Sequence, residues 1–202
     1  VDSRRRRLAE SSGRRIVQMV QEDLRPSHIL TIQAFTNAIK TLHALGGSTN
    51  AIIHLIAIAG RVGIELPLRL FDRLSRSTPF ILNLKPSGQY LMEDFFYAGG
   101  MPALLQTLSP LLDMSAFTAT GTSLGENIKS AQVFDQNIIR PLENPIHSEG
   151  GLAVLHGTLA PDGAIIKPTA ASENLLRHKG KALVFENHED LLNRIDDPDL
   201  DV

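Results

Sequence analysis

Ser48, Thr49 and Asn50 stand between two glycines and an almost uninterrupted apolar run, in LGGSTNAIIHLIAIAG at residues 45–60. A helix that starts at this point exposes amide groups with no partner one turn away, together with the positive end of its dipole. Carboxylates and phosphates bind such ends readily. Gly46 and Gly47 let a ligand approach the backbone, and the hydroxyl and amide side chains supply hydrogen bonds. The chemistry on offer is recognition of a small, acidic, polyhydroxylated molecule. The structural alternative is a glycine C-cap followed by an N-cap, joining two core helices, and on residue physics alone that junction is the better reading.

The remaining reactive side chains are more scattered. His54 lies four residues after Asn50 and shares its helical face, so it could line the same pocket or be a satisfied buried histidine. Lys85, in LKPSGQYLMEDFFYAGG (residues 84–100), directly follows an apolar segment and could hold a carboxylate. Glu93 and Asp94 are adjacent and would point about 100° apart on a helix, poor geometry for a shared proton, so an acidic first helical turn is expected. Lys167, in AIIKPTA, reads as a solvated lysine at a strand end, and His147 and Glu149 could line a cleft between domains. No HxxxH or HExxH spacing occurs among the seven histidines.

The elements that must position these groups can be read from periodicity. Residues 3–24 have helical spacing, with Leu8, Ile16, Val20 and Leu24 near one face. A second helix is predicted over 31–45, from Phe35, Ala38, Ile39, Leu42 and Leu45, with Thr31 as N-cap and Gly46-Gly47 as terminator. The third starts near Asn50 and is apolar nearly all round, so burial on most sides is expected. Phe80 to Leu84 predicts a short buried strand, Met101 to Leu112 a helix, and the residues from about Glu126 another. Strands are predicted at Leu152 to His156 and Ala164 to Ile166, joined through an Asp162-Gly163 turn, and again at Lys181 to Phe185. His188 to Ile195 predicts a helix capped by Asn187. The fold class is α/β. Helices dominate to about residue 144 and strands from 145, which places a domain boundary near 145.

Composition excludes several classes. Hydrophobic residues are 43% and charged residues 21% of the 202, as in ordinary globular proteins. A net charge of -2 gives no electrostatic case for nucleic acid, and Arg4 to Arg7 reads as a solvated helix face. With no cysteine, the chain cannot form a disulfide or ligate zinc or an iron–sulfur cluster through thiolates. Neither a secretory signal nor an apolar run of membrane-spanning length is visible, so a cytoplasmic, membrane-free protein is expected. The first residues already carry a helical pattern and the last form an acidic turn, which leads us to expect an internal segment of a longer protein.

Several blocks together resemble one family. LGGSTNAIIHLIAIAGRVGI, NLKPSGQYLMEDFFYAGGMPALL, TGTSLGENI, GGLAVLHGTLAPDGAIIKPTA and KGKALVFE are similar, in this order, to the dihydroxy-acid and phosphogluconate dehydratases, over about Ala34 to Glu186. EDFFYAGG looks more like the sugar-acid branch, which includes pentonate dehydratases such as those of arabinonate or xylonate.

The resemblance implies a hydro-lyase that converts a 2,3-dihydroxy acid to a 2-keto acid with an iron–sulfur cluster and Mg2+. In such enzymes the cluster takes the leaving 3-hydroxyl, a base removes the C2 proton and magnesium holds the carboxylate end. It also implies an α/β domain followed by a β-barrel-like domain, and an oligomer of identical chains. The family's cluster cysteines, carbamylated lysine, magnesium-binding glutamate and proposed serine base belong to motifs absent from this sequence, so no catalytic or metal-binding residue is assigned. Ser48, Thr49 and Asn50 match the family's GGSTN residue for residue and are the expected substrate-binding group, with His54 beside them. The competing expectation is a non-catalytic module that binds a sugar acid or sugar phosphate at the same helix end.

Overall fold

A computed structural model describes residues 3–198. The described residues up to Ala170 form one compact unit, and those from Ala171 form a second.

The first unit is organised around one helix. Helices α1 (Ser3–Gln21), α2 (Pro26–Ile29), α3 (Ile32–Leu45), α4 (Asn50–Arg61) and α5 (Leu68–Arg76) are followed by α6 (Met92–Tyr97), α7 (Gly100–Thr107) and α8 (Leu124–Ile128). Strands β1 (Ala153–Gly157) and β2 (Ala160–Ile166) close the unit as an antiparallel hairpin. Thr31 caps α3 as predicted, its side chain accepting from the Ala34 amide. One face of α3 sends Phe35, Ile39 and Leu42 into a core shared with Ile52, Leu66, Phe71, Leu74 and Leu152. Its last turn sends Ala44 into a second core built from Ile81, Leu82, Phe95, Leu104, Leu108 and Ile139. Buried Asn37 locks the two regions: its side-chain amide donates to the Asp113 carbonyl at 2.8 Å and accepts from the Asp113 amide at 2.8 Å.

The C-terminus of α3 is the hub of the unit. Gly46 takes the left-handed conformation (φ 58°), and the Gly46 and Gly47 amides return to the carbonyls of His43 and Leu42 in a Schellman arrangement. The carbonyls of this last turn also recruit distant segments. Ala44 accepts from Ile81 at 2.9 Å, and His43 accepts from Gly151 at 3.0 Å.

Several expectations are corrected here. Phe80 to Leu84 is extended, buried at Phe80 to Leu82 and half-buried beyond, but belongs to no ladder. It makes single bridges to His147, Ile139 and Tyr90, because its amides are spent on the end of α3 and on loops. The hairpin turns at Thr158-Leu159. Asp162-Gly163 lies inside β2, where Ala160 to Ala164 spans the same stretch as Leu155 to Gly157 and the surplus bulges out, with Gly163 at φ 106°. Burial of α4 is one-sided: Ile52 and Ala59 are buried, whereas Ile53 is 67% and Ile58 46% exposed. The first helix stops at Gln21 and buries none of its residues, Leu8, Ile16 and Val20 included. Helix α5 was not anticipated, although Phe71, Leu74 and Ser75 repeat at helical spacing with three arginines between and beside them.

The second unit has little regular structure. Lys181 to Phe185 is irregular rather than a strand, having no neighbouring strand to pair with among the described residues. The last helix, α9 (His188–Arg194), is capped as expected, with Asn187 accepting from the Glu189 and Asp190 amides. Arg194 pairs with Asp190 and lies 5.3 Å from the Phe185 ring centroid. The mixed helix and sheet content agrees with the expected α/β class.

Candidate functional site

The GGSTN segment joins two well-formed helices, as the junction reading expects. Gly46 ends α3, and the chain restarts as α4 within four residues. Its first amides are not bare. The Asn50 amide donates to Ser48 Oγ at 3.2 Å, the Ala51 amide to the Ser48 carbonyl at 3.0 Å and the Ile52 amide to the Thr49 carbonyl at 3.2 Å. Ser48 therefore acts as the cap, and what this mouth offers a ligand is side-chain chemistry more than free N–H groups. Ser48, Asn50 and His54 are exposed and Thr49 is half-buried. Asn50 and His54 lie one turn apart on the same face of α4.

The backbone of the mouth is held from three sides. Gly151 packs so closely that a Cβ added to it would sit 2.6 Å from Gly46 Cα. A Cβ on Gly46 would meet the Phe80 ring at 2.6 Å. Lys167, at the end of β2, donates from Nζ to the Gly46 carbonyl at 2.5 Å. This corrects the reading of Lys167 as a solvated strand-end lysine: it is half-buried, and desolvation holds its pKa below the ordinary lysine value. Pairing is regular from Ala164 to Ile166, so Lys167 follows on the side of core-packed Ile165, and α3 presents a carbonyl where the ammonium can use it.

Two residues further on, Thr169 Oγ1 donates to Ser87 Oγ at 3.0 Å. Ser87 belongs to the turn after the 80–84 segment, where Asn83 Oδ1 accepts from the Gln89 amide at 3.0 Å and Asn83 Nδ2 donates to the Asn137 carbonyl at 3.2 Å. Lys85 in this turn is exposed, and its bond to Pro86 is cis. Glu93 and Asp94 form the acidic first turn expected of them, and Asp94 accepts from the Leu91 amide at 2.7 Å. His147 is exposed, and its ring stacks on Phe80 at 5.9 Å between centroids; Glu149 is also exposed.

A larger concavity lies elsewhere. An open groove of about 500 Å³ is lined by Asn37, Thr41 and Leu45 of α3, Leu55 of α4 and Phe117, among others, and its walls are overwhelmingly apolar. Ser48, Thr49, Asn50 and His54 do not line it. Its walls suit hydrocarbon better than a hydroxylated acid.

The comparisons with known proteins decide the family. The Dihydroxy-acid/6-phosphogluconate dehydratase N-terminal model matches residues 1–127, and the corresponding C-terminal model matches residues 137–201. The chain belongs to the dihydroxy-acid/6-phosphogluconate dehydratase family. Among its relatives, an L-arabinonate dehydratase of Rhizobium leguminosarum bv. trifolii is 53% identical over 204 aligned residues, covering all of this chain and 35% of the relative. An L-arabonate dehydratase of Azospirillum brasilense is 50% identical, with the same coverage. A dihydroxy-acid dehydratase of Caldicellulosiruptor saccharolyticus is 48% identical over 94% of this chain and 35% of its own length. The chain thus spans about a third of these curated dehydratases.

The cofactors expected from the resemblance do not fit the residues present. The sequence has no cysteine to supply a thiolate, and among the described residues no three His, Asp or Glu side chains converge to hold a cation. Nor is any helix of the described residues long and apolar enough to cross a membrane.

Proposed function

We propose that this segment serves a hydro-lyase that removes water from a 2,3-dihydroxy sugar acid to give a 2-keto-3-deoxy acid. Family membership over both matched portions carries this reading. The full-coverage similarity to arabinonate dehydratases favours an aldonic acid over a branched-chain dihydroxy acid. Within the segment, Ser48, Thr49, Asn50 and His54 are the substrate-facing group: all four leave their side chains at least partly open, on a backbone braced by Gly151, Phe80 and Lys167. A hydroxyl, a carboxamide and an imidazole can each donate to or accept from the hydroxyls of an aldonate. The iron–sulfur cluster and Mg2+ that the family resemblance implies would be ligated by residues outside this chain. The same reading takes the portion from about residue 145 as the start of a β-barrel-like domain, and the whole enzyme as a cytoplasmic homo-oligomer.

The test is a titration of the 15N-labelled chain with L-arabinonate, with 2,3-dihydroxyisovalerate and a sugar phosphate as comparisons. Amide shifts confined to Gly46–His54, largest with the aldonate, are expected. Absence of any shift there, with every acid tried, removes these residues from the substrate site. Submicromolar, metal-independent binding of a sugar phosphate would instead favour a non-catalytic binding module. Release of a 2-keto acid from an aldonate by the complete enzyme, assayed directly, tests the reaction itself.

A further inference from the structure

We infer that Lys167 is a positioning residue for the GGSTN mouth, and that the 167–169 segment is the strap that ties this mouth to the Ser87 turn. The inference rests on the reading that Ser48, Thr49 and Asn50 face the substrate.

Three observations carry it. Lys167 Nζ donates to the Gly46 carbonyl across 121 residues of sequence, two residues before the first of the three candidate side chains. Thr169, two residues later, donates to Ser87 in the other polar turn that follows a buried segment. The strap is rigidly based: β2 pairs with β1 at Ala153–Ile166 and Val154–Ile165, and Val154 and Ile165 pack on the core that contains Leu42 of α3. One end of a strand thus holds the ends of two loops whose polar side chains are exposed or half-buried.

A lysine suits this place for a physical reason. The Gly46 carbonyl comes directly after a helix C-terminus, where a cation is favoured, and it lies beyond the reach of the Schellman bonds. With one donor bound to Gly46, the ammonium retains two further donors. Fixing that carbonyl fixes the peptide plane between Gly46 and Gly47, and with it the direction in which the chain enters Ser48. A methionine would fill the same space but leave the carbonyl without its partner. An arginine would retain both charge and donors.

The experiment compares the whole chain with K167M, K167R and T169V. Amide hydrogen exchange at the two hydrogen-bonded amides of this stretch, Gly47 and Asn50, is expected to accelerate by about tenfold in K167M, the loss of one charge-assisted hydrogen bond. L-arabinonate affinity should fall by a similar factor, with exchange in α7 unchanged and both losses restored in K167R. T169V should loosen the Ser87 turn without speeding exchange at Gly47 and Asn50. Lys167→Gln, which keeps a donor and loses the charge, preserves the readout if K167M does not fold. Wild-type exchange at Gly47 and Asn50 in K167M, or in K167Q where K167M does not fold, would overturn the inference. So would acceleration spread evenly over α7 and α5, which marks a purely structural role. Failure of the wild-type chain to bind any aldonate, with the local exchange effect intact, would instead count against the substrate reading alone.

Discussion

His43 shows how a single side chain in this fold carries a pH dependence. It sits on α3 only 1% exposed, and neither ring nitrogen makes a hydrogen bond of good geometry, the Phe71 backbone being a weak neighbour at most. Burial lowers its pKa from 6.5 to about 4, only partly offset by the Phe71 backbone and the Asp72 charge. Between those values the unfolded chain binds a proton that the folded chain refuses, so stability rises with pH through this window and falls on acidification. The full window corresponds to about 3 kcal/mol. We expect the urea midpoint of the wild type to drop between pH 6.5 and 4, and the drop to shrink in H43L, which replaces the imidazole by a buried apolar group of similar size. An identical slope in H43L would assign the effect to the carboxylates instead. His43 was not singled out among the seven histidines, because burial is a property of the packed neighbours Gly150 and Ser75 and leaves no mark in the local sequence.

At the scale of the element, the end of α3 is the most informative feature. Gly46 and Gly47 were read as a helix stop, and both make the expected bonds, yet they differ in kind. Gly46 has positive φ and faces the Phe80 ring, whereas a Cβ on Gly47 would meet the flexible tip of Leu42. Gly46→Ala should therefore cost about 2 kcal/mol or more, from left-handed strain and the clash with the ring. Gly47→Ala should cost less, because Leu42 can move aside. Thermal melts of the two variants decide this, and equal losses would refute the distinction. Periodicity made α3 legible, and the expected 101–112 helix only as far as Thr107, where α7 ends before a 3-10 turn at Ser109–Leu111; the Asn187 cap was legible from residue type. Periodicity failed where partners are distant. The 80–84 segment has a strand's composition, but its amides go to a helix end and to loops. The run after Asn50 has the composition of a fully buried helix, but the described residues cover only its Ile52–Ala59 side.

On the scale of the whole molecule, α3 links two cores that share few residues. Phe71 lies in one and Leu104 in the other, both fully buried. Because Asn37 and the α3 carbonyls join the two regions, truncation in either should lower a single shared transition. Phe71→Ala is expected to cost about 3–5 kcal/mol and Leu104→Ala about 2–5 kcal/mol. Coincident circular-dichroism and fluorescence-dye melts in both variants would bear this out, whereas two separate transitions would show that the cores fold independently.

The division between sequence and structure follows the range of the interactions. The sequence by itself determined the family, the α/β class and the central helices, because these depend on residue identity and on spacings within a few turns. It also excluded thiolate ligation, since the chain has no cysteine. Only the tertiary structure decided that the 80–84 segment bonds to the end of α3, that the Asp162-Gly163 pair forms a bulge, and that Lys167 reaches Gly46. Each of these turns on which unsatisfied carbonyl or hydroxyl meets which donor. A helix end chooses such partners in space, from any point along the chain.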